Sequence, residues 1–119
     1  MSPIIVPCLV ALDLPRVLNI ELASFASPWT RGMFADAVDG IRGTLGCVAR
    51  SVTGDVIGYG VCQIVADDVD IHRFAVTQEW RRQGVEMHLL EWMMTKAGSK
   101  GARTAQLEAR EQPQCQTTV

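Results

Sequence analysis

The chain has 119 residues, 48% of them hydrophobic and 20% charged, with a formal net charge of −2. A globular chain of this length buries about two thirds of the surface its unfolded form exposes, and this apolar content sustains a core, which excludes wholesale disorder. The slightly acidic balance leaves no electrostatic footprint for nucleic acid. The longest apolar stretch, residues 4–12, is interrupted by Pro7 and has no positive charge before it. It falls short of the ~20 residues a membrane helix requires and is not expected to be a secretory signal.

In chain order, residues 4–10 are rich in β-branched side chains and predict a first strand. Asp13 is placed to cap a helix with Pro15 in its first turn, and Leu14, Val17, Leu18, Leu22 and Phe25 fall at helical spacing on one face. Ser27-Pro28-Trp29 breaks that helix. Thr30 offers a new cap for a short second helix carrying Met33, Phe34, Ala37 and Val38, which Gly40 and Gly43 end.

The period then changes to that of strands. Residues 46–51 and 56–65 flank Val52-Thr53-Gly54-Asp55, whose Thr-Gly pair favours a tight reversal. A second turn at Ala66-Asp67-Asp68 leads to residues 69–77, completing a three-stranded antiparallel meander. The helix predicted over 85–97 places Val85, Leu89, Trp92, Met93 and Ala97 on one face, with Gly98 past its end. Gly101 opens the way to a last strand, 103–109.

Four cysteines, Cys8, Cys47, Cys62 and Cys115, lack the close pairing and nearby histidines of a zinc site, so no metal is expected. Cys47 and Cys62 lie in apolar strand-like runs, where a free thiol behaves as a small hydrophobe, as in reduced cytoplasmic proteins. His72 and His88 have no partner carboxylate in the sequence around them and read as packing or surface residues.

The chemistry is concentrated where the strand ending at Thr77 hands over to the helix beginning at Val85. The first turn of a helix carries unpaired N–H groups and the positive end of the helix dipole, which together favour a phosphate. Here Gly84 lets a ligand approach the backbone, and Arg81 and Arg82 add positive charge. Arg81-Arg82-Gln83-Gly84-Val85-Glu86 resembles the Gln/Arg-x-x-Gly-x-Gly/Ala signature of the GCN5-related N-acetyltransferases, with Glu86 in place of the final small residue. The runs 13–21, 24–30 and 107–110 resemble, in the same order, the branch of that family that acetylates the N-terminal alanine of ribosomal proteins.

The resemblance implies an α+β fold in the order β-α-α-β-β-β-α-β, a mixed, mostly antiparallel sheet with flanking helices in a single domain over residues 1–112. It implies acetyl-CoA as the acyl donor. Phe74, Ala75 and Val76 would offer backbone partners to the pantetheine arm, while Arg81, Arg82, Gln83, Gly84, Val85, Glu86 and Met87 surround the pyrophosphate. Glu108 would be the general base for an amine acceptor, with a protein or peptide N-terminus as the implied amine and Phe25 and Trp29 lining its pocket.

The family's tyrosine acid has no counterpart, since the single tyrosine is Tyr59 in a central strand. The family's final helix and two strands are likewise unmatched, and residues 113–119, opened by Pro113, read as a short polar tail. Two expectations follow from that: self-association through the bare edge of 103–109, and, as an alternative function, an impaired relative that binds a partner while retaining part of the CoA site.

Overall fold

The structure, a computed structural model, describes residues 4–107 and 116–118. Five strands form one sheet in sequence order: β1 (Thr44–Arg50), β2 (Val56–Val65), β3 (Asp68–Val76), β4 (Thr104–Leu107) and β5 (Gln116–Thr118). The first three make the expected antiparallel meander. β3 then crosses over through a helix to β4, which lies parallel to it, and β5 returns antiparallel on β4's far side. Helices α1 (Leu14–Ser24) and α2 (Arg31–Asp39) cover one face, and α3 (Val85–Ser99) covers the other.

The two faces enclose separate apolar cores. Leu14, Val17 and Phe34 meet Val48, Tyr59, Val61 and Ala75 on the α1–α2 side. On the α3 side, Val85, Leu89, Met93 and Ala97 meet Cys47, Ile57, Val69, Ile71, Phe74 and Val76. These four α3 residues are all buried and belong to the stripe read from the sequence, whereas Trp92 is half-buried. The helix runs through Gly98 to Ser99, so the reversal falls at Gly101 (φ 97°) rather than at Gly98. α3 sits close to the sheet because β2 has no side chain at Gly58 or Gly60: a Cβ on Gly60 would stand 2.7 Å from the Met93 methyl.

Other local expectations change when long-range partners compete. Residues 4–10 run antiparallel to β1 but only as isolated bridges at Ile5–Arg50 and Cys8–Cys47, because Pro7 has no N–H to continue a ladder. Asp13 does occupy the cap position of α1, yet its carboxylate accepts no helix amide; it pairs with Arg50 and accepts from Val10 N–H at 3.1 Å. The buried face of α1 is also rotated from the expected one. Leu14, Val17, Ile20 and Glu21 point inward, Leu18 is half-buried and Leu22 is 65% exposed.

Thr30 caps α2 as read, accepting from Met33 N–H at 3.4 Å, and Gly40 (φ 70°) ends it. Part of the stretch expected as a polar tail forms β5, which pairs with Thr104, Ala105 and Gln106. The edge expected to be bare is therefore paired over Thr104–Gln106.

Candidate functional site

Between β2 and β3 the register slips at Val61/Cys62, which oppose Arg73 and Ile71, so His72 is an extra residue on β3. A bulge of this kind shifts the side-chain alternation by one. Val69 and Ile71 face α3, and so do Phe74 and Val76, while Arg73 and Ala75 turn to the α1–α2 side. The bulge therefore aims a guanidinium into the buried space beneath α1.

Arg73 there meets Glu21, which is fully buried. Arg73 Nε donates to Glu21 Oε2 at 2.8 Å and its Nη2 donates to the Ser27 carbonyl at 2.8 Å. Glu21 also accepts from the Tyr59 hydroxyl and, at 2.8 Å, from the Trp29 backbone N–H. Burial first, and then the Glu21 carboxylate, push the Tyr59 phenol far above its usual range. With its proton held by Glu21 inside the core, Tyr59 has no access to a reacting group.

Phe25 and Trp29, expected to line an acceptor pocket, pack on this pair. The Arg73 guanidinium lies 3.7 Å from the Phe25 ring centroid and 5.6 Å from that of Trp29. Phe25 is only 5% exposed, and Trp29 leans on Phe34 with ring centroids 5.3 Å apart. Neither Glu21 nor Arg73 was singled out in the sequence. The available signal was a charge of each sign at an apolar position, one within the α1 stripe and one inside a buried strand.

Beside this unit a cleft of about 260 Å³ is lined by Ser24, Phe74, Ala75, Val76, Arg81 and Glu86. It brings together five residues expected at a cofactor site, with Ser24 from the end of α1 added. Among the described residues β4 pairs with β3 over Asp68–Ile71. Beyond Ile71, β3 has no strand on its β4 side among the described residues, and it borders the cleft there. Arg81 is fixed at the rim, its Nε donating to the Val76 carbonyl at 3.0 Å.

The turn from Arg81 into α3 exposes its backbone. Arg82 (φ 64°) and Gly84 (φ 85°) both adopt left-handed conformations, and a Cβ on Gly84 would touch nothing within 4 Å. After Arg81, the next N–H with a backbone acceptor is that of His88, bonded to the Gly84 carbonyl at 3.3 Å. The N–H groups of Arg82, Gln83, Gly84, Val85, Glu86 and Met87 thus lack a backbone acceptor among the described residues, and such runs form anion-binding concavities. The Val85 side chain is buried in the α3 core and Met87 is 65% exposed, so only their backbones face this task. Gln83 uses its side-chain amide to bond the Glu79 carbonyl at 2.9 Å, bracing the turn.

Glu108 lies outside the described residues. A larger hollow of about 670 Å³, at the start of α1, is bordered by Asp13, Arg16, Arg50, Asp55 and Glu79 and holds none of the expected site residues. Among the described residues no group of three His, Cys, Asp or Glu could hold a metal ion, and no helix is long and apolar enough to cross a membrane.

Known proteins resemble this chain in sequence and fold. The chain is 30% identical over 98 residues to the ribosomal protein bS18-alanine N-acetyltransferase of Escherichia coli K12, an alignment covering 82% of this chain and 64% of the relative. The putative bS18-alanine N-acetyltransferase of Bacillus subtilis is also 30% identical, with the same shares covered. The chain thus spans somewhat under two thirds of the length of these relatives. The crystal structure of the Escherichia coli ribosomal-protein-S18-alanine N-acetyltransferase superposes with a TM-score of 0.75 at 27% identity, covering 88% of this chain and 66% of that one. For the fold alone, an Escherichia coli GNAT N-acetyltransferase solved with CoA superposes with a TM-score of 0.75 at 21% identity, over 90% of this chain and 63% of that one. The sequence model of the acetyltransferase (GNAT) family matches residues 14–116, and this chain belongs to that family.

Proposed function

We propose that the protein transfers an acetyl group from acetyl-CoA to a primary amine, and that the amine is the N-terminus of a protein or peptide. The observation that supports this reading is the meeting of two features: the run of N–H groups from Arg82 to Met87 that have no backbone acceptor among the described residues, and the stretch Phe74–Val76 of β3 along the cleft wall. A diphosphate fits the first, because six backbone donors and a helix N-terminus offer positive partial charge without a side chain that must be reorganised. An extended amide-bearing arm fits the second, since Phe74, Ala75 and Val76 lie along the cleft wall. Bound acetyl-CoA supplies a thioester activated for acyl transfer.

The rest falls to the protein's own residues. Glu108, which follows β4, is the proposed general base, taking the proton of the amine as it attacks. The peptide reading rests on the bS18-alanine acetyltransferase relatives, which are transferases and so speak against a pure binding module. Buried free thiols at Cys47 and Cys62 support a reducing, cytoplasmic setting.

Two measurements test this. Isothermal titration should show CoA binding at one site per chain, and a thiol-release assay should show turnover with peptides beginning in alanine. Binding without turnover on any amine would refute the transferase reading, and absence of CoA binding would refute the site.

A further inference from the structure

We infer that Arg73, held by Glu21, is a positioning residue that sets the segment 25–29 against the cofactor strand and thereby determines how well the acceptor binds. The inference rests on the acetyltransferase reading above and deepens it.

The segment between α1 and α2 has two backbone groups fixed by this pair: the Trp29 N–H on Glu21 and the Ser27 carbonyl on Arg73. Its two rings also lie against the same guanidinium. The anchor is rooted at both ends in regular structure, since Glu21 stands in α1 and Arg73 directly precedes Phe74, the first cleft residue of β3. A displacement of Arg73 relative to β3 would therefore shift the segment relative to the cleft. Ser24, three residues after Glu21, already reaches the cleft wall.

Energetics favour this reading over one in which the pair simply adds stability. A buried ion pair gains little over apolar residues of the same volume, because desolvation offsets most of the attraction. What it provides here is direction. A planar guanidinium can donate to a carboxylate and a carbonyl at once while stacking on a ring, and an ammonium cannot do so in one geometry.

The test compares Arg73→Lys with Tyr59→Phe. Lysine keeps the charge but loses the fork, whereas phenylalanine removes a donor to Glu21 and leaves the hydrogen bonds of Arg73 and of the Trp29 N–H in place. With Arg73→Lys, KM for an alanine-starting peptide, and its Kd in the presence of CoA, should rise about tenfold, while CoA affinity stays within about twofold. Amide exchange over 26–30 should quicken without change in α3. Tyr59→Phe should lower the melting temperature and leave peptide KM and exchange over 26–30 where they were.

Should Arg73→Lys fail to fold, Glu21→Gln takes its place with the same expected pattern, since the amide oxygen still accepts from Trp29 while the charge that holds Arg73 is gone. Unchanged peptide binding in the variant that folds, or peptide and CoA affinity falling together with exchange quickening throughout, would overturn the inference. So would a wild type that does not bind the peptide. A wild type that binds peptide without transferring acetyl would refute the transferase function alone, leaving the positioning role to be decided by the peptide Kd and the exchange data.

Discussion

Gly58→Ala tests how tightly β2 is pressed between β3 and α3. An ideal Cβ at Gly58 would lie 2.9 Å from the Ala75 carbonyl oxygen, 3.3 Å from Leu89 Cδ1 and 3.4 Å from Val76 Cγ2. The first of these is backbone, held in the ladder and bordering the cleft, so it cannot swing aside as a side-chain tip would. Alanine reduces the freedom of the unfolded chain, worth about 0.4–1 kcal/mol in favour of folding. Forcing extra volume into a packed core costs about 1–3 kcal/mol, so a net loss of about 1–2 kcal/mol is expected. For a chain of this size, an unfolding entropy of about 2.1 cal/mol/K per residue makes each kcal/mol worth about 4 °C. Melting should therefore fall by about 4–8 °C.

Gly32→Ala supplies the contrast, because its Cβ would meet only Thr30 Oγ1, at 3.8 Å, in the first turn of α2. There, removal of a helical glycine should raise the melting temperature by about 2–4 °C. Calorimetry on both variants decides the matter. A Gly58→Ala protein melting at or above the wild type would show that β2 and β3 are not packed as described.

Glu86 places a carboxylate in the first turn of α3 at the cleft wall. In an exposed setting, one like-charge pair at ~5 Å costs about 1 kcal/mol, so Glu86→Gly should tighten CoA binding about fivefold at low salt, the gain shrinking at high salt. Equal affinities at low salt would mean that the side chain turns away from the phosphates. Glu108→Gln should lower kcat by roughly 10²-fold with little change in CoA affinity, and retained turnover from pH 6 to 9 would remove it from the mechanism. Burial pushes the Cys62 thiol from 9.0 up to about 12. The unfolded chain therefore ionises first, and stability that is complete below pH 9 should decline by about 1.4 kcal/mol per unit as pH rises from there towards 12. Denaturant titrations at pH 8 and 10 should show a loss that Cys62→Ala reduces, and an unchanged midpoint would contradict the burial of this thiol.

What the sequence by itself determined rests on rules that act over a few residues. Thr30 caps α2 because a hydroxyl three residues before an open N–H can reach it. The stripe of Val85, Leu89, Met93 and Ala97 faces the sheet because that spacing keeps side chains on one side of a helix. The run of open N–H groups at the start of α3 was legible for the same reason: glycine and the first turn of a helix define its donors locally.

The tertiary structure decided what depends on partners far along the chain. Glu21 and Arg73 are 52 residues apart, and nothing near either one announces the other. The extra residue at His72, which turns Arg73 towards Glu21, exists only as a register between two strands. Asp13 leaves the amides of its own helix for Arg50, and β5 closes on β4, because a charge or a strand edge satisfied across the fold outweighs the local preference. The packing of Phe25 and Trp29 belongs to the same group, since an aromatic ring shows in the sequence but the cation it packs against does not.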